Sequence, residues 1–246
     1  MSLELSQAVA VVLAGGFGTR VAHLLADTPK PMARVAGKPF VEWVVRCLAR
    51  QGIPKVLFST GHLAEVVEHY FQPQPVPGVT TRCFAETRPL GTGGGFLNAV
   101  QLSGESPEAW LVVNGDSLVF ADLKMAAAEL SNPAVAGVVV GCTVADASRY
   151  GTLATGPAGE LLGFAEKRPG SGVINAGMYL LRNSLVSDLP RTLPLSLEQE
   201  VFPQLIARGI LLKVCVVDAP FLDIGTPESL RQAESFIEAN RARLGN

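Results

Sequence analysis

A short apolar, β-branched run, Val9–Leu13, empties directly into Ala14-Gly15-Gly16-Phe17-Gly18-Thr19-Arg20, and few folds accommodate that junction. A valine-rich run this brief suits a strand buried on both faces. Glycines after it let the backbone approach a ligand closely, and successive N–H groups entering a helix form an anion cradle. The loop lacks the last glycine of a dinucleotide fingerprint, because Gly16-Phe17-Gly18-Thr19-Arg20 is followed by Val21. It also lacks the Gly-Lys-Ser/Thr ending of a P-loop. Arg20 at the loop exit supplies a planar cation, and Lys30, clamped between Pro29 and Pro31, supplies a second charge on a stiff segment.

The rest of the first half repeats the strand–loop–helix rhythm. Pro39 opens a helix with Val41, Val44, Val45 and Leu48 at helical spacing, and Leu63, Val66, Val67 and Tyr70 repeat it. Val56–Ser59 and Trp110–Val113 read as strands, and a helix is expected over Gly94–Leu102. This alternation predicts an α/β fold, a Rossmann-like doubly wound mixed sheet that is mostly parallel. After residue 135 the texture changes to strands separated by turns, over Val135–Thr143, Gly151–Ala154, Leu161–Ala165 and Val173–Leu181. Antiparallel pairing and a lid-like β layer are expected there. Ser196-Leu197-Glu198-Gln199 matches a capping box, so a helix should begin at Leu197. Leu211–Val217 reads as a strand, Phe221–Thr226 as a loop, and Pro227 as the first residue of the last helix.

Length and charge remove several classes of function. The 246 residues suit one domain spanning residues 1–246, with 48% hydrophobic and 17% charged residues. A net charge of -2 and the lack of any basic stripe argue against nucleic acid as a partner. No apolar run approaches the roughly 18–20 residues of a membrane span, and Glu4 stands where a signal peptide would carry basic residues. Cys47, Cys83, Cys142 and Cys215 are scattered without a C-x-x-C pair, so a reducing, cytoplasmic setting is expected. His23, His62 and His69 fall at no ligand spacing.

Leu-Ala-Gly-Gly-x-Gly-Thr-Arg followed by Lys-Pro resembles the signature of the sugar-1-phosphate nucleotidyltransferase family. The likeness runs on through Gly37-Lys38-Pro39, Pro89-Leu90-Gly91-Thr92-Gly93-Gly94, Asn114-Gly115-Asp116, Tyr150-Gly151, Glu166-Lys167, Asn175-Ala176-Gly177 and Asp223-Ile224-Gly225-Thr226-Pro227. It implies the nucleotide-diphospho-sugar transferase type of sheet, and an enzyme that joins a sugar 1-phosphate to a nucleoside triphosphate with release of pyrophosphate. By that resemblance Arg20 and Lys30 are catalytic, and Leu13, Ala14, Gly15, Gly16, Glu86, Gly91 and Thr92 bind the nucleotide. Asn114, Tyr150, Gly151, Glu166, Lys167 and Asn175 take the sugar phosphate, and Asp116 and Asp223 bind Mg²⁺. Magnesium suits two carboxylates plus phosphate oxygens, and no His or Cys cluster competes with it.

Glu86 leans toward GTP: a carboxylate accepts two hydrogen bonds, and guanine offers the adjacent N1–H and N2 donors where uracil and thymine offer one donor between acceptors. Within the family the chain looks closest to the D-glycero-α-D-manno-heptose 1-phosphate guanylyltransferases, which make GDP-heptose for surface glycans. Mannose 1-phosphate guanylyltransferases usually carry a further C-terminal domain. Uridylyl- or thymidylyltransferases acting on N-acetylmuramate, mannose or glucose 1-phosphate stay open as alternatives, as does a non-catalytic sugar-nucleotide sensor. The partners expected are the triphosphate and the sugar 1-phosphate, with no membrane, and with a homodimer left open.

Overall fold

The computed structural model describes residues 3–16, 18–25, 28–165 and 169–244. Glu166 and Lys167 of the expected sugar site lie outside the described residues. The first strand, β1 (Val9–Ala14), runs parallel to two neighbours. A short helix α1 (Ala22–Leu25) and a two-strand ribbon, β2 (Arg34–Val35) with β3 (Lys38–Pro39), lead into α2 (Phe40–Arg50). Then come β4 (Lys55–Thr60), α3 (Ala64–Phe71), β5 (Thr80–Ala85), α4 (Gly91–Ser103), β6 (Ala109–Asn114) and the short β7 (Ser117–Val119). The second half comprises α5 (Leu123–Glu129), β8 (Val135–Val144), β9 (Thr152–Thr155), β10 (Leu161–Ala165), β11 (Gly172–Arg182) and α6 (Phe202–Ala207). It closes with β12 (Leu211–Val217), β13 (Phe221–Asp223), α7 (Pro227–Ala239) and α8 (Arg241–Leu244).

Alternation along β1 explains why it lies in the middle. Ala10 and Val12 face one apolar layer with Phe40, Val44, Val67 and Ile237, whereas Val9 and Val11 face the other with Phe96, Trp110, Phe202 and Leu205. Each face of the strand thus meets helices, and a strand that is apolar at every position is the one that profits. Burying a Leu- or Phe-sized side chain contributes about 1.5–3 kcal/mol, so this double burial outweighs any single polar contact in the molecule.

Among the described residues a nine-stranded sheet runs β10-β9-β11-β6-β1-β4-β5, with β8 joined through β11 and β12 through β8. The segment β1-β4-β5 and the β1–β6 pair are parallel, whereas β11 pairs antiparallel with β6, β8 and β9. Among the described residues the expected lid-like layer does not form. The turn-rich second half extends the same sheet, because β11 carries apolar residues such as Ile174, Tyr179 and Leu180 on both faces and is as buried as β1.

Local differences have local reasons. The fourth helix begins at Gly91, not Gly94: the N–H groups of Gly93 and Gly94 both donate to the carbonyl of Leu195, at 2.8 and 3.2 Å, which fixes a first turn that glycine propensity alone opposes. Ser196 does cap the turn beginning at Leu197, accepting from the N–H of Gln199. The side chain reaching back to the Ser196 N–H, however, is Glu200, because Leu197–Val201 forms a wider π-type turn before α6. Phe221–Asp223, expected in a loop, is a strand paired with β7.

Two further points hold for the described residues. Its cysteines are free, with Cys47, Cys142 and Cys215 buried, and no helix is long and apolar enough to cross a membrane. At the outer edge of the sheet, the Gln74 side-chain amide pairs with the backbone of Thr81 on β5. Its Oε1 accepts the Thr81 N–H at 2.8 Å and its Nε2 donates to the Thr81 carbonyl at 3.3 Å.

Candidate active site

The chain leaves β1 toward β4 and β5 on one side and returns to place β6 on the other. Strand order therefore reverses beside β1, and a crevice opens beyond the C-terminal ends of β1 and β6, where open α/β sheets bind their ligands. Register puts Leu13 opposite Asn114 and Ala14 opposite Thr60, so the glycine loop and Asn114-Gly115-Asp116 emerge side by side. The Gly115 N–H donates to the carbonyl of Leu13 at 2.9 Å and holds the second loop against the first.

The crevice contains a cavity of about 310 Å³, and every residue expected to bind nucleotide lines it: Leu13, Ala14, Gly15, Gly16, Glu86, Gly91 and Thr92. Lys30, Asn114 and Asp116 complete the wall. A larger cavity, of about 550 Å³, runs along β5 beside Glu65, His69, Gln74 and Cys83 and contains none of the motif residues.

Glu86 follows the end of β5 and is pinned at both oxygens. The Ser59 hydroxyl donates to Oε1 at 2.8 Å, and the Leu90 N–H donates to Oε2 at 3.0 Å. Glycines flank the carboxylate, since a Cβ on Gly15 or Gly95 would stand 2.6 or 2.7 Å from Oε1. The carboxylate therefore has one orientation in the cavity wall, and each oxygen keeps a lone pair beyond the one that accepts from the protein.

The acidic pair is assembled by the small β7–β13 ribbon. Asp223 pairs with Ser117 in the register, and the Ile224 N–H donates to the Asp116 carbonyl at 3.0 Å. Lys30 forms an ion pair with Asp116. Burial first, and then the charge of Asp116, raise the Asp223 carboxyl above its ordinary range, against the opposing pull of Lys30, the Gly225 N–H and Arg149. Among the described residues no cluster of three or more His, Cys, Asp or Glu side chains forms a metal cage. Two neighbouring carboxylates beside an open cavity do not suit a structural zinc ion. They fit magnesium, which takes one or two carboxylates and fills its remaining positions with water and phosphate oxygens.

Other expected residues sit around this centre. Arg20 is exposed at the exit of the glycine loop and does not line the cavity. Tyr150 is half-buried, edge-on to Phe221 at 5.5 Å, and burial pushes its hydroxyl up. The Gly151 carbonyl accepts the Asn175 N–H at 3.0 Å, which joins those two positions. The Asn175 side chain donates to the Tyr179 hydroxyl at 2.8 Å and accepts the Gly177 N–H at 3.0 Å.

Sequence reasoning missed several neighbours. Arg149 stands 4.0 Å from Asp223, donates to Thr226 at 3.1 Å and covers the Tyr150 ring at 5.5 Å. Ser59 fixes Glu86. Tyr179 and Glu198 join Asn175 to Thr92. Position next to Tyr150-Gly151 was the available signal for Arg149, and the capping-box motif contained Glu198 without disclosing what it touches.

Known proteins share this arrangement. A family model described as "Nucleotidyl transferase" matches residues 9–240. A D-glycero-α-D-manno-heptose 1-phosphate guanylyltransferase of Campylobacter jejuni is 33% identical over 223 residues, which is 89% of this chain and 95% of that protein. A mannose-1-phosphate guanylyltransferase of Mycobacterium tuberculosis is 36% identical over 90% of this chain, which spans 62% of that longer protein. Among solved structures, HddC from Yersinia pseudotuberculosis complexed with GMP-PN superposes with a TM-score of 0.80 at 30% identity, covering 92% of this chain and 97% of HddC. With the glycine loop, Lys30, Glu86, Gly91-Thr92, Asn114 and Asp116 lining one crevice and a family match along nearly its whole length, the chain belongs to the nucleotidyl transferase family and is a sugar-1-phosphate nucleotidyltransferase.

Proposed function

We propose that this enzyme transfers the guanylyl group of GTP to D-glycero-α-D-manno-heptose 1-phosphate, forming GDP-heptose and pyrophosphate. The observation that carries the choice of base is the pinned carboxylate of Glu86 in the cavity wall. Its free lone pairs match the paired N1–H and N2 donors of guanine, and they would oppose the carbonyl oxygens that flank the single donor of uracil or thymine. The heptose is supported by likeness to the C. jejuni enzyme, which matches this chain over almost all of its own length.

Leu13, Ala14, Gly15, Gly16, Gly91 and Thr92 hold the nucleotide, and Asn114, Tyr150, Gly151 and Asn175 take the sugar phosphate together with Glu166 and Lys167. An oxygen of the sugar 1-phosphate bonds to the α-phosphorus while the bond from that phosphorus to the α–β bridging oxygen breaks. Pyrophosphate departs with the electron pair. The attacking oxygen is already anionic near neutral pH, so the chain need supply no general base, and its work is to align two polyanions and neutralise them. Lys30 and Arg20 contribute positive charge where the transition state gathers negative charge, each worth about 10²–10³ in rate by analogy with other charge-stabilising donors. Asp116 and Asp223 hold Mg²⁺, which when bound supplies further positive charge to the triphosphate oxygens.

Pyrophosphate release, measured with GTP, UTP, dTTP, CTP and ATP against a panel of sugar 1-phosphates, tests this reading. GTP with the heptose 1-phosphate should give the highest kcat/KM. Glu86→Gln should narrow the preference for GTP over UTP about tenfold or more, because an amide both donates and accepts. A highest kcat/KM with UTP or dTTP would overturn the assignment of the base.

A further inference from the structure

Thr92 in the cavity wall and Asn175, assigned above to the sugar phosphate, are linked through one carboxylate, Glu198. On the nucleotide side, the Thr92 hydroxyl donates to Glu198 Oε2 at 2.9 Å and accepts the Leu197 N–H at 2.8 Å. Ser196 adds a second hydroxyl donor to the same oxygen at 3.0 Å. On the other side, the Tyr179 hydroxyl donates to Glu198 Oε1 at 2.7 Å and accepts the Asn175 side-chain N–H at 2.8 Å. Asn175 in turn holds the Gly177 N–H through its Oδ1 and the Gly151 carbonyl through its backbone N–H.

The direction of these bonds is set by charge. An ionised carboxylate only accepts, so Thr92 and Tyr179 must both point their protons at Glu198. Tyr179 is fully buried and its hydroxyl is held well above the ordinary phenol range, so it keeps that proton. Having donated to Glu198, Tyr179 can only accept from Asn175, which fixes the amide of Asn175 one way round. A half-buried network anchored on the buried Tyr179, with one allowed polarity, has few alternative arrangements, and that stiffness lets a displacement at one end be felt at the other.

We propose that Glu198 is a positioning residue that couples the two substrate subsites: it orients Thr92 directly and Asn175 through Tyr179, so that filling one subsite raises affinity at the other. This rests on the assignment of Thr92 to the nucleotide and Asn175 to the sugar phosphate. Coupling of this kind is reciprocal, so a single factor describes how each ligand changes the affinity for the other.

The test is a binding cycle by titration calorimetry on the intact enzyme with Mg²⁺. The α,β-methylene analogue of GTP, which cannot undergo transfer, and the heptose 1-phosphate are each titrated alone and in the presence of the other. Wild type should show a coupling factor of about fivefold or more. Tyr179→Phe removes one hydroxyl from the middle of the chain, and Glu198→Gln removes the charge that sets its direction. Each should bring the factor close to one, Tyr179→Phe with the affinity for the nucleotide analogue alone kept within about twofold, and the double variant should add nothing further. Equal weakening of both ligands with the factor preserved would reveal a mere scaffold and overturn the proposal, as would a wild-type factor near one. If Tyr179→Phe fails to fold, Thr92→Val cuts the same chain at its other end and must also lower the factor. If the activity panel selects another triphosphate or sugar, the cycle is run with that pair, so the identity of the substrates and the role of Glu198 fail separately.

Discussion

At Asp223 a carboxylate is held where little water reaches it and where Asp116 already supplies a negative charge, so its folded-state affinity for a proton is raised. A carboxyl raised on folding contributes stability below its unfolded value of about 3.9, and that contribution is lost as pH climbs through the folded value. Near neutrality the ionised Asp223 therefore works against the ligand-free fold. Asp223→Asn should melt at a higher temperature than wild type in the presence of chelator at pH 7, and the difference should shrink as the pH is lowered toward 4. In saturating Mg²⁺ and GTP the order should reverse, because the variant loses a metal ligand and with it the stabilisation that bound ligand confers, about 2.7 kcal/mol at a hundred times Kd. Equal melting curves under both conditions would remove Asp223 from the metal site. The meeting of Lys30, Glu86 and Asp116 in one cavity wall was legible because each stands in or beside a recognisable motif. Ser59 and Glu198 were not, because their partners Glu86 and Thr92 lie 27 and 106 residues away and nothing local marks the pairing.

Helix α4 shows how an element can be built against its own composition. Gly91-Thr92-Gly93-Gly94-Gly95 has poor helix propensity, yet the helix starts there because the segment at Leu195 seats on it. Gly91 adopts φ +76, and a Cβ at that position would stand 2.4 Å from the Leu195 carbonyl oxygen. Gly91→Ala should therefore do more than add the usual 1–2 kcal/mol of left-handed strain: it should push the Leu195–Glu198 segment away from Thr92. The expected outcome is a KM for the triphosphate raised about tenfold with a modest fall in melting temperature, read by initial rates and thermal denaturation. A KM within twofold of wild type would show that this close approach does not shape the cavity. The sequence placed the body of the helix correctly over Gly94–Leu102, whereas its first turn depends on a carbonyl supplied by Leu195, about a hundred residues downstream. The same limit hid β13: three residues carry too little pattern to read as a strand until β7 lies beside them.

For the molecule as a whole, the parallel half of the sheet was legible because β1 and β6 are apolar at almost every position, β4 is apolar through Val56, Leu57 and Phe58, and the strands alternate with amphipathic helices. The second half was harder. Its turn-rich strands announced antiparallel pairing but not that β11 would insert beside β6 and continue the same sheet. That insertion brings Gly177 against Asn114 of the cavity wall and leaves β5 as the last strand on the opposite flank. There Gln74 imitates the strand that is missing, giving Thr81 the donor and acceptor that a partner chain would otherwise provide. Gln74→Ala should unblock the flank and increase light scattering during mild heating, with the unheated melting temperature lowered only slightly; unchanged scattering would assign the amide a purely local role. A side chain that serves as a stopper has a consequence for assembly: any oligomer that grows by adding β-structure at this margin must first evict a glutamine, so copies of the enzyme are steered to meet elsewhere.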